Sequence, residues 1–144
     1  MSPHLLVRVG KERFAFSLER VLEAVDAPAL HEPPLRPDGM LGTLRHRGQT
    51  LPVWDGARTF GIPRDAGAGT ALVLRDGERH LAVLVDDALD IVEVAPDALR
   101  AAPTGSDGGG LLAGVVRDAR GLVGVVRVDI MVARLTAWGA GRGA

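Results

Sequence analysis

The stretch GMLGTLRHRGQTLPVWD, Gly39 to Asp55, holds two short apolar runs apart with an Arg47-Gly48 turn and ends on an aspartate. Glycine after arginine supplies the positive φ that a tight hairpin needs. Met40 to His46 and Gln49 to Trp54 therefore read as paired strands. Asp55 is a good N-cap for a short helix, Gly56 to Phe60. Near the other end, GVVRDARGLVGVVRVD, Gly114 to Asp129, has the same outline. There the spacing predicts strands at Leu111–Arg117 and Leu122–Val126 about an Arg120-Gly121 turn. Asp129 is expected to cap a last helix, Ile130 to Ala137, with Ile130, Ala133, Leu135 and Trp138 as its apolar stripe.

Working outward, the repetition extends along the chain. LVRVGKERFAFSL, from Leu6, matches LVLRDGERHLAVLV, from Leu72: strand, charged turn containing Glu-Arg, strand. Phe14, Phe16 and Leu18 alternate with polar or small residues, the period of a half-buried strand. Asp76-Gly77 is a strong hairpin signal. VLEAVDAP, from Val21, matches DIVEVAP, from Asp90. Glu19 to Val25 reads as a helical turn entering a strand. Asp86 to Leu89 reads as a turn or short helix before a strand at Ile91–Val94. HEPPLRPDG, residues 31–39, has three prolines and is an ordered loop. Residues 61–70 are a connector, and GSDGGG, residues 105–110, is expected to be mobile. Each half holds about five short strands and little helix, which suggests a small barrel. Two such units packed together would hide the faces that neither covers alone, leaving a groove between them.

The composition narrows the function. Seventeen basic residues nearly balance eighteen acidic ones, for a net charge of -1. That balance speaks against a nucleic-acid binder or a membrane-surface binder. No cysteine is present, which excludes disulfides, thiolate metal sites and cysteine nucleophiles. The amino terminus lacks the apolar core of a signal peptide, and no apolar run is long enough to span a bilayer. A cytoplasmic protein without membrane insertion is expected. The only lysine, Lys11, stands against sixteen arginines, a mark of base composition.

Sites of chemistry are hard to find. His4, His31, His46 and His80 are scattered without metal-ligand spacing. Asp86 and Asp87, if adjacent on one strand, would point to opposite faces and share no ion. There is no phosphate-binding loop, dinucleotide fingerprint or nucleophile elbow. Trp54 and Trp138 read as core. No cofactor and no metal are expected.

The order of these segments resembles the CheW-like domain of bacterial chemotaxis coupling proteins, over Leu5 to about Leu135. The resemblance is carried by Val21-Leu22-Glu23-Ala24, the proline loop with Pro37, then Gly42, Arg45-His46-Arg47-Gly48, Pro52-Val53-Trp54-Asp55 and Val85-Asp86-Asp87-Ala88. Three positions depart from the family pattern. Arg45 replaces an asparagine, His46 an apolar residue, and Ala24 an isoleucine.

The resemblance implies a mainly β chain of two pseudo-repeated, five-stranded SH3-like barrels with short helices. One CheW-like domain over 1–144 is expected, with subdomains at about 1–65 and 66–138 and a tail at 139–144. It implies no catalysis. The expected role is an adaptor between a chemoreceptor's cytoplasmic tip and the regulatory domain of a CheA-type histidine kinase. Edge strands and the groove between barrels would do the binding. Glu23, Arg45, Arg47 and Gly48 are the expected partner-binding residues, with the Arg47 guanidinium suited to a partner carboxylate. Asp55 and Asp129 are expected only as caps. The alternatives are a divergent scaffold of a non-motility chemosensory pathway, a double barrel holding a small ligand, or a paralogue that arrays only with itself.

Overall fold

A computed structural model describes residues 1–65 and 67–142. In chain order the strands are β1 Ser2–Val9, β2 Glu12–Ser17, β3 Val21–Asp26, β4 Met40–His46 and β5 Gln49–Asp55. Helix α1, Gly56–Phe60, follows. Then come β6 Thr70–Asp76, β7 Arg79–Val85, β8 Asp87–Val94, β9 Leu112–Asp118 and β10 Gly121–Val126. Helix α2, Val128–Arg142, ends the described chain, so most of the tail expected over 139–144 is helical. Residues 143–144 and Ala66 lie outside the described residues.

The strands form two five-stranded sheets, ordered β8-β1-β2-β10-β9 and β3-β6-β7-β5-β4. The two orders are the same pattern. Each has a central hairpin (β1–β2 or β6–β7), a second hairpin joined to it in parallel, and one further antiparallel strand at the edge. The chain is thus a mainly β, duplicated fold of two SH3-like subdomains. The subdomains are not the two halves of the sequence. One sheet occupies 21–85 without interruption, and the other is built from 2–17 and 87–126. This corrects the expected division near residue 65. The repeat in sequence is real, but each half lends three strands to the sheet that the other half's hairpin begins. Strand alternation reads pattern, not partner, and could not show this exchange.

Three apolar clusters explain why the central strands are continuously apolar. Leu44, Leu51, Val53, Ala71, Val73, Ala82 and Leu84 fill the nested barrel. Leu6, Ala15, Val94, Val123 and Val125 fill the terminal one. The opposite faces of the same strands meet in a shared core: Val7, Val9, Phe14 and Phe16 from one sheet, Leu72, Leu74, Leu81, Val83 and Val85 from the other. Along β7, Leu81, Val83 and Val85 face the shared core while Ala82 and Leu84 face the barrel. Ala15, expected on an outer face, is buried for the same reason.

Helix α2 closes the shared core with Val128, Met131, Val132 and Leu135, a spacing of three and four residues. The expected stripe was partly misplaced: Ile130 and Ala133 are only half-buried. The strand registers explain why Asp129 does not cap this helix. Met40 pairs with Trp54 and Leu112 with Val126, so the residues that follow, Asp55 and Arg127, are the equivalent pair. Asp55 caps α1, its Oδ1 accepting from the Ala57 N–H at 3.1 Å. Asp129 instead stands in the first turn of α2, where its charge suits the helix dipole.

Two other readings change. Asp86 to Leu89 is no helix: β8 runs from Asp87, kinked by a bulge at Leu89, because β1 offers it an edge to pair with. The second hairpin turn lies at Ala119-Arg120, one residue earlier than expected, with Gly121 paired to Asp118. An aspartate at that place fixes the turn by accepting from the Arg120 N–H at 2.9 Å. The glycine loop 105–110 is tied to α2, since the Arg134 guanidinium donates to the carbonyls of Gly108 (2.7 Å) and Gly109.

Asp118 also binds Arg13 through a two-pronged contact, Nη1 to Oδ2 at 2.7 Å and Nη2 to Oδ1 at 2.6 Å. This joins β2 to the far hairpin. The Arg13 guanidinium holds the Asp118 carboxyl down at about 2. A depressed carboxyl stabilises the fold above its unfolded value near 4 and stops doing so as pH falls through about 2. Asp118 is 45% exposed, so the contribution is about 1 kcal/mol or less. Arg13→Gln is therefore expected to be slightly less stable than the parent at pH 6. That gap should close between pH 4 and pH 2 in urea unfolding followed by circular dichroism. A gap that is constant with pH would remove the pair from the account.

Candidate partner-binding surface

The two strands of the β4–β5 hairpin meet at His46 and Gln49, leaving Arg47 and Gly48 as the turn. Both have positive φ, 49° and 79°. Two such residues make the turn whose twist matches a hairpin. Nothing lies within 4 Å of where a Cβ of Gly48 would stand, so its role is conformational. Arg47 is different. A bulky side chain in the left-handed region costs about 1–2 kcal/mol, and Asn or Gly would sit there with less strain. Its guanidinium is exposed and makes no hydrogen bond or ion pair among the described residues.

Alternation along β4 places Leu44 and His46 inside, Arg45 and Arg47 outside. His46, where the family pattern has an apolar residue, is itself buried, 7% exposed. The alternation of Leu44 with His46 was the signal that could have shown this. His46 Nε2 lies 2.8 Å from Glu23 Oε2. It is a close polar contact without a formed hydrogen bond. Glu23 is on β3 and His46 on β4, the two opposite edges of the nested sheet. Their contact shows the sheet curling until its edges meet. Glu23, more than twenty residues from the turn in sequence, is thereby brought beside the strand that leads into it.

The proline loop runs along the β4 edge. His31 pairs with Thr43 of β4, each N–H donating to the other's carbonyl at 3.0 and 2.7 Å. The terminal barrel repeats the device with Arg100 and Val115 of β9. In both, a glycine precedes the bridged strand residue. A Cβ on Gly42 would stand 2.6 Å from the His31 carbonyl oxygen, and one on Gly114 2.4 Å from that of Arg100. Gly42 is one of the positions that carry the family resemblance, and Gly114 stands at the same place before VVRDARG.

Asp86 and Asp87 are not adjacent on one strand, since β8 begins at Asp87. Asp86 sits in the bend before β8 and accepts from the Gly10 N–H at 2.6 Å, while Asp87 accepts from the Arg8 guanidinium at 2.7 Å. Asp65 reaches the same arginine. The acids are used in fastening β1 to the β7–β8 corner and the connector. Among the described residues no set of three or more His, Asp or Glu could hold a metal. No helix among them is long and apolar enough to cross a bilayer.

A family model described as "CheW-like domain" matches residues 3–135. No curated protein matches the sequence. Among solved structures, the scaffolding protein TtCheW from Thermoanaerobacter tengcongensis superposes with a TM-score of 0.78 at 16% identity. The match covers 88% of this chain and 84% of that one.

Proposed function

The chain belongs to the CheW-like domain family, and from that premise we propose a non-enzymatic adaptor that couples chemoreceptors to a CheA-type histidine kinase in the cytoplasm. The family is one of non-enzymatic scaffolds that couple receptors to that kinase. For this chain, the reading is carried by Arg47, an unpaired arginine in a strained backbone conformation at an exposed tip. Strain of this kind is a reason to look for a function at the site. A planar guanidinium freed from internal partners suits a partner carboxylate. Glu23, Arg45 and Gly48 belong to the same surface, Gly48 by shaping it. Glu23 is half-exposed beside His46 and keeps part of its carboxylate for a partner.

One observation favours a divergent scaffold of a non-motility pathway. The histidine in the turn sequence is turned inward against Glu23, leaving arginines on both sides of it facing out. A more basic tip selects a more acidic partner surface.

Titration calorimetry against the kinase regulatory domain and a receptor tip from the same organism tests the proposal. The parent chain should bind both. Arg47→Glu should fold normally, since the site is exposed, yet bind at least about tenfold more weakly, roughly 1.4 kcal/mol. Absence of binding to either partner at high micromolar concentration defeats the adaptor reading. Unchanged binding by the variant reduces Arg47 to scaffold.

A further inference from the structure

On the outer side of the nested barrel, a groove of about 570 Å³ runs between the β4–β5 hairpin and helix α2, with the proline loop as its wall. Leu35, Met40, Pro52, Trp54, Leu81 and Leu135 line it. Two details set it apart. Leu35, on the rim, is 92% exposed, far more than Leu89 or Leu122. The buried indole N–H of Trp54 finds no acceptor among the described residues, a cost ordinarily avoided.

Charge decides what would fit. Among the described residues no carboxylate lines the groove, although acids slightly outnumber bases in the chain. Arg79 and His80 are its charged or titratable members. Arg79 is taken by Asp76, at 2.7 Å. Just outside, the register puts Thr43 opposite Pro52 and Arg45 opposite Thr50. Residues two apart share a face, so Arg45 extends the outer face that Thr43 and Pro52 bring to the groove. Among the described residues Arg45 has no carboxylate partner, only a long bond to the Thr50 hydroxyl at 3.4 Å. Arg47 lies beyond it at the tip.

We propose that this groove receives an acidic, apolar-faced segment of a partner protein, its apolar side chains against Leu35 and Trp54 and its carboxylates toward Arg45 and Arg47. The inference rests on the adaptor reading in taking the occupant to be a protein, and adds the chemistry by which it is chosen. A second copy of this chain fits less well groove to groove, because it would bring its own Arg45 and Arg47 toward the same arginines. A basic segment is excluded by the same argument.

The two tryptophans of the chain stack on each other, centroids 5.8 Å apart and nearly parallel, at one end of the groove. They report occupancy directly. A short synthetic peptide of leucine and glutamate in amphipathic order, free of tryptophan, is titrated against the full chain while its emission is followed. Its counterpart with lysine for glutamate is the control. The acidic peptide should shift the emission and bind saturably, and the lysine peptide should not. Leu35→Ser and Arg45→Glu should each weaken binding about tenfold or more without altering the unfolding midpoint, both side chains being exposed. Equal response to the two peptides, no saturable shift, or indifference to both substitutions overturns the proposal. Calorimetry of the same variants separates the two readings. If kinase or receptor binding is lost with Arg47→Glu but untouched by Leu35→Ser, the adaptor stands and the groove proposal falls. If neither protein binds while the acidic peptide does, the adaptor reading falls alone.

Discussion

Phe16→Ala is expected to lose about 3–5 kcal/mol of folding stability, read as a drop in the urea midpoint with an unchanged slope. Phe16 has no exposed surface and is among the largest buried side chains. It sits in the shared core, edge-on to Phe60 with centroids 6.5 Å apart and planes at 74°. Truncation removes its transfer energy and leaves a void. The size of the second loss depends on how far the surroundings can close in. Here they are held from three sides, by both sheets and by α2, and a sheet cannot move inward without unseating the barrel on its other face. The upper part of the range is therefore expected. Stabilities of single domains are roughly 5–15 kcal/mol, so the variant is near unfolding. Leu122→Ala, at a position 45% exposed, should cost far less and serves as the reference. Similar midpoints for the two variants would mean that the sheets do not share a core.

Gly114→Ala should cost about 1–3 kcal/mol or more, the usual penalty for forcing volume into packed structure. The added methyl would meet the Arg100 carbonyl oxygen at 2.4 Å and Leu99 Cγ at 3.0 Å. A backbone oxygen cannot swing aside as a side chain does. Either the bridge between Arg100 and Val115 opens, losing bonds of 2.9 and 2.8 Å, or β9 shifts against β10. Gly42→Ala places its methyl 2.6 Å from the His31 oxygen and should behave alike. Gly48→Ala meets nothing and bears only the strain of its φ, about 1 kcal/mol. Hydrogen exchange at the Arg100 and Val115 amides should quicken in Gly114→Ala and not in Gly48→Ala. If all three substitutions cost the same, the close approach is not what keeps Gly42 and Gly114.

The hairpins were legible because their signals are local. Alternation about Asp76-Gly77 and a glycine after Arg47 depend on neighbours a few residues away. The exchange of strands between barrels was not legible, because pairing of β1 with β8 joins residues about eighty to ninety apart and leaves no mark on either strand's pattern. The same limit hid Asp129. Read alone, an aspartate before an apolar run is a cap; only the register of β9 on β10 gives that place to Arg127. At the candidate surface, the turn signal places Arg47 and Gly48 at the hairpin tip, while Glu23 was expected only from the family pattern. That Glu23 meets His46 follows from curling of the sheet, which no residue announces. The groove was missed because its walls come from 31–54, from β7 and from α2, each unremarkable by itself.

The nesting of one barrel within the other also orders events at the ribosome. Everything the inner sheet needs has been made once Val85 emerges. The first hairpin, already out, still lacks β8, β9 and β10. At ordinary rates of synthesis the interval is on the order of ten seconds. Throughout it, the nascent chain offers Leu72, Leu74, Leu81 and Val83 to whatever is near, since the helix that covers them is translated after all ten strands. The first strands made are thus among the last to be secured, and chaperone demand should be greatest just before the carboxyl-terminal helix appears.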